Sequence, residues 1–160
     1  MHSQLRLIMI ALALSLTAAA ARADQSCKPV VGSFEARVAP AGCASPVGLC
    51  TAGRVWGGIQ GSYHFVMETA QPNGQTEVPT ILFFTGHSDI TLKSGDHVTG
   101  VDTGAIDLPP GEGGFASLTT FRGGTGDAAG TTGQIRLRGE FNAAEGITSG
   151  DYLGTLCTPQ

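Results

Sequence analysis

Charge is scarce in this chain and aromatic rings are scarcer: charged residues make up 14% and aromatics 6% of its 160 residues, with a single tryptophan. Positive charge is in the minority, with 9 Lys and Arg against 13 Asp and Glu. Nucleic-acid binders and proteins of anionic membrane surfaces carry a basic patch, so this balance speaks against both. The usual reactive signatures are missing too. There is no Gly-x-Ser-x-Gly, no His-Glu-x-x-His and no Cys-x-x-Cys. Past residue 23 the only histidines are His64, His87 and His97, and no apolar run approaches the length of a bilayer span.

The one long apolar run stands at the start. Arg6 precedes "LIMIALALSL" (Leu7–Leu16), and "AAAARA" follows, ending in Ala21-Arg22-Ala23. A basic start, a short apolar stretch and small residues before a cut describe a secretory signal peptide. Residues 1–23 are therefore expected to be removed, leaving 24–160 as one domain with a net charge of −6. The compartment implied is secreted or periplasmic, with no membrane contact after cleavage.

All four cysteines, Cys27, Cys43, Cys50 and Cys157, lie in that domain. An even number in an exported chain reads as two disulfides, and three pairings are open. Position favours Cys43–Cys50, around a short loop with Pro46 and Gly48, together with Cys27–Cys157 at the two chain ends. The competing zinc site lacks the close cysteine pair such sites use, and no metal or cofactor is expected.

Glycine is abundant, 24 residues, and it alternates with Thr, Val, Ile and Phe, which favour strands. About seven strands can be read at regular spacing: Val30–Ala39, Gly57–Ala70, Val78–Leu92 with a bend at Gly86, His97–Leu108, Phe115–Gly124, Gly133–Asn142 and Ile147–Leu156. Asn73-Gly74 marks a hairpin turn. In "QIRLRGEF" the polar set Gln134, Arg136, Arg138 and Glu140 alternates with Ile135, Leu137 and Phe141, the pattern of a sheet wet on one face. Short connections make neighbours antiparallel, in a barrel or sandwich.

The run "RGGTGDAAGTTGQIRLRG" (Arg122–Gly139) invites a phosphate-loop reading. Such a loop presents the free N–H groups of a helix N-terminus, but a strand pattern follows here and no lysine of that motif is present. Glycines at a strand end serve instead as corners of a closing sheet. "GGTGDAAGTTGQIRLRGEF" (Gly123–Phe141) also resembles the G-G-T-G-x-x-x-G-x-x-G signature of the allene oxide cyclase and dirigent barrel superfamily. Two upstream blocks, "CASPVGLCTAGRVWGGIQGSYHF" and "FTGHSDITLKSGDHVTGVDTGAIDL", are similar to small secreted bacterial proteins with an allene-oxide-cyclase-like domain. The resemblance implies an all-β, closed antiparallel barrel of about eight strands with a central cavity, in relatives that are often homo-oligomeric. Ala128 stands where an aromatic is usual and Asp127 where a basic residue is common. The catalytic carboxylates of the plant enzymes find no matching motif, so no catalytic residue carries over.

Three residues are singled out as a binding site. His87 and Asp89 share a strand face with Thr85 and Thr91 and could form an acid–base pair or two metal ligands at a cavity mouth. Trp56 could stack on a ligand, although a lone tryptophan more commonly plugs a core. Asp102 and Asp107, five apart, point to opposite faces unless a bulge at Gly104 shifts them, and read as solvated or turn-bound aspartates. The expected function is non-catalytic binding of a small apolar ligand inside the barrel. The alternatives are an interaction barrel with a filled core and a cyclase- or isomerase-type enzyme, which needs a charged residue inside. The interior distinguishes the three.

Overall fold

The computed structural model describes residues 25–74, 76, 77 and 79–160. Residues 1–23, read from sequence as a signal peptide, lie outside the described residues. Eight strands follow one another: β1 Gln25–Val38, β2 Cys50–Gly57, β3 Gly61–Pro72, β4 Ile81–Leu92, β5 His97–Asp107, β6 Gly114–Gly124, β7 Thr132–Asn142 and β8 Ile147–Pro159. Each pairs antiparallel with the next, and β8 returns to pair with β1, closing the barrel. Closure leaves no unpaired sheet edge.

The strand reading from sequence missed β2 and began β3 too early. Gly57–Ala70 is not one strand: Gly57 ends β2 with φ of 107°, the chain turns through residues 58–60, and Gly61 opens β3. A register shift in β3 between Met67 and Thr69 lies opposite Gly86 and Thr85. The glycine-rich run is a corner. After β6 a single 3-10 turn, Gly126–Ala128, leads into β7. Gly126 has φ of 51°, and a Cβ there would fall against the Asp96 carboxylate. The turn delivers Ala128, 5% exposed, into the barrel end.

Two disulfides fix the ends of the fold. Cys27 and Cys157 are direct partners in the β1–β8 ladder and are bonded, and Cys43 is bonded to Cys50 at the start of β2. No cysteine is free.

The interior has two halves. At the end that carries the chain termini and the 58–60 turn, Val30, Ile59, Val98, Phe121, Ile135 and Tyr152 pack into a continuous cluster. Tyr152 ties it together: its hydroxyl accepts from Ile59 N–H at 2.7 Å and lies 3.2 Å from Trp56 O. Towards the other end Phe65, Met67, Phe84 and Ile106 form a second cluster, against which Leu49, Phe115 and Phe141 lean.

Candidate functional site

Between the packed half and the second end, the interior is not filled. A cavity there is lined by the rings of Phe34, Tyr63, Phe65, Phe84, Phe115 and Phe141, with Leu49, Met67, Ile106 and Leu137. Four polar side chains reach the same space: Thr51, Asp102, Ser117 and Thr148. The cavity has a volume of about 60 Å³, room for about four to six water-sized groups. The ring walls are set edge to face, Phe34 on Phe115 at 5.9 Å and Phe65 on Phe84 at 5.9 Å, the arrangement aromatic quadrupoles favour.

Asp102 is the one charged residue of this lining, and it is 2% exposed. Its place follows from strand parity: it shares the inner face of β5 with Val98 and Ile106, both buried. Thr119 on β6 donates its hydroxyl to Asp102 Oδ1 at 2.5 Å, and Ser88 on β4 donates to Oδ2 at 2.8 Å. Ser88 Oγ also lies 3.2 Å from Tyr63 Oη. Ser88 has one proton, and the shorter contact, to the carboxylate, takes it while Asp102 is ionised. The Tyr63 hydroxyl is then the donor to Ser88, which gives a line Tyr63–Ser88–Asp102 across β3, β4 and β5.

Burial raises the Asp102 pKa above the usual carboxylate range, opposed by the Thr119 and Ser88 hydroxyls and by the more distant His87. Burial, with the Asp102 charge second, pushes the Tyr63 phenol well above its ordinary value, against the Ser88 contact. Tyr63 is thus held neutral as a hydrogen-bond donor, and Asp102 can exchange a proton at a pH where surface carboxylates cannot.

The residues singled out from sequence lie elsewhere. His87 and Asp89 share a face, but it is the outer one. His87 meets Glu68 at 3.1 Å, and Asp89 meets Nδ1 of His97 at 2.8 Å. Trp56 is also on the outside, 46% exposed, beside Arg54 and Lys93 rather than in the core. None of the three lines the cavity. Asp107 is turn-bound, accepting from Glu112 N–H at 2.9 Å, whereas the reading of Asp102 as a solvated or turn-bound aspartate is overturned by its burial. The β4–β5 register runs unbroken past Gly104, so the two aspartates do point to opposite faces. Among the described residues no group of three or more His, Cys, Asp and Glu is placed to hold a metal ion, and no helix is long and apolar enough to cross a membrane.

No family model matches this chain and no curated protein matches it. Among solved structures it is similar to the pterocarpan synthase dirigent protein GePTS1, at 13% identity over 86% of this chain and 87% of that one, with a TM-score of 0.43.

Proposed function

We propose that this chain is an exported, disulfide-stabilised barrel that binds one small, mainly apolar molecule in its half-open interior, with the molecule's polar group set against Asp102. The observation that supports this most strongly is the cavity itself, apolar and ring-lined with a single buried carboxylate. A pocket built of aromatic and aliphatic walls with few polar groups is the common form of a small-molecule site. A filled-core interaction barrel fits less well, because the second cluster of the interior surrounds free space. Two disulfides and no free thiol support an oxidising compartment.

A second reading rests on the same carboxylate. A cyclase- or isomerase-type enzyme needs a charged group inside the barrel, and Asp102, held by the Thr119 and Ser88 hydroxyls, supplies an ionisable one. Turnover separates the readings: a binder returns its ligand unchanged, an enzyme returns it with altered connectivity.

Native mass spectrometry of the purified protein tests the binding reading. One small molecule per chain is expected, and it should be lost in Ser117→Phe, which fills the cavity. A bare wild-type chain, or an adduct that survives the substitution in a folded protein, would count against it.

A further inference from the structure

We propose that the molecule held in this cavity is a compact organic cation, a protonated or quaternary amine with an apolar body, whose positive charge lies against Asp102 within the ring of aromatic walls. The proposal rests on the cavity being a ligand site and goes beyond it by naming the ligand's charge.

The argument begins with an imbalance. Asp102 is 2% exposed, yet among the described residues no lysine or arginine shares the interior with it. All seven lysines and arginines among the described residues, from Lys28 to Arg138, are exposed. His87, the histidine that acts on Asp102 through charge, is on the outer face and already engaged with Glu68. A buried carboxylate without a counter-charge is costly.

The polar contacts it does have suit the ionised form. Two hydroxyls, from Thr119 and Ser88, converge on it, one on each oxygen. Two donors aimed at two oxygens favour the charged carboxylate, against burial, which favours the protonated acid, and a cation in the cavity would add to the side of the charge. What this arrangement lacks is a positive partner among the described residues, and Asp102 is part of the cavity lining.

The walls are of the kind that accept a cation. Ring faces carry negative charge density, and several rings around one space form the cage by which ammonium groups are held. Six of the lining residues are Phe or Tyr. A neutral apolar ligand would use the rings but leave the carboxylate uncompensated, and an anionic ligand would be repelled by it. The free volume sets the size, an amine of about four to six non-hydrogen groups in the cavity as it stands.

Isothermal titration with isobutylamine and with isobutanol, equal in heavy-atom count and differing in charge, tests this at neutral pH. Isobutylamine is expected to bind at least ten times more tightly than isobutanol to the wild-type chain, with that preference lost in Asp102→Asn. Should that variant fail to fold, Ser117→Phe, which fills the cavity, takes its place, and the amine preference is expected to be lost there as well. Equal binding of the two probes would overturn the cation and leave the cavity as a ligand site. Binding of neither would overturn both. An amine preference that persists in a folded Asp102→Asn variant would place the amine at surface carboxylates and overturn the proposal.

Discussion

Ser88 and Asp102 meet inside the barrel at 2.8 Å because the residue directly opposite each of them is a glycine. Ser88 is paired with Gly100 and Asp102 with Gly86, so the two polar side chains lean diagonally across a gap with no competing side chain. The ring of Phe65 lies over Gly86 and the methyl of Thr119 over Gly100. Two ladder positions thus give up their side chains so that a carboxylate and a ring can share one layer.

Alanine at either glycine should therefore disturb this layer. A Cβ at Gly86 would sit against Val66 O and the Phe65 ring, and at Gly100 the nearest atom is the Thr119 methyl at 2.6 Å, which cannot turn without moving the hydroxyl that donates to Asp102. Gly86→Ala and Gly100→Ala are each expected to destabilise by about 1–3 kcal/mol. Urea unfolding of both variants measures the loss, and an unchanged midpoint in either would contradict this packing.

Asp102 should leave a signature in the pH dependence of stability. Its folded pKa is raised above the unfolded value, chiefly by burial, so the native state holds the proton more tightly. The stability this contributes is fully present below the unfolded aspartate pKa, about 4, and is lost as pH rises through the folded pKa. Asp102→Asn cannot titrate. Its stability relative to wild type is expected to stay constant below about pH 4 and to improve as pH rises above it, as read by denaturant midpoints in ligand-free protein. A difference that stays flat with pH would show that the carboxylate is not buried as described.

The two disulfides close very different loops, with sequence separations of 130 and 7. Loop entropy alone assigns about 5 kcal/mol to the first and about 2.5 kcal/mol to the second. Replacing Cys27 and Cys157 by serine should accordingly lower stability more than replacing Cys43 and Cys50, in parallel chemical unfolding curves.

The parts of this fold that could be read in the sequence are those where one strand face is wet and the other dry. β7 is such a strand, with Ile135 and Leu137 inside and Arg136 and Arg138 outside. β2 hid because its polarity is weak and partly reversed: Thr51 and Gly53 point in while Trp56 points out. Asp102 hid for a related reason. Residue type marks an aspartate as solvated, and only its parity with Val98 and Ile106 reveals the inner face. The same parity argument applied to β4 puts Ser88 with Phe84 and Ile90 inside, and His87 and Asp89 outside. The pairing of Ser88 with Asp102 depends on the register between strands, which no single strand's pattern carries.

The most direct test of where this chain holds a small molecule is a methyl-resolved NMR titration with isobutylamine. The side-chain methyls of Met67, Ile106 and Leu137, which line the cavity, should shift together and saturate at one site, while the exposed methyls of Val31 and Leu153 on the outer face stay in place. Shifts confined to Val31 and Leu153, or no saturable shift at the cavity methyls, would contradict a ligand site inside the barrel beside Asp102.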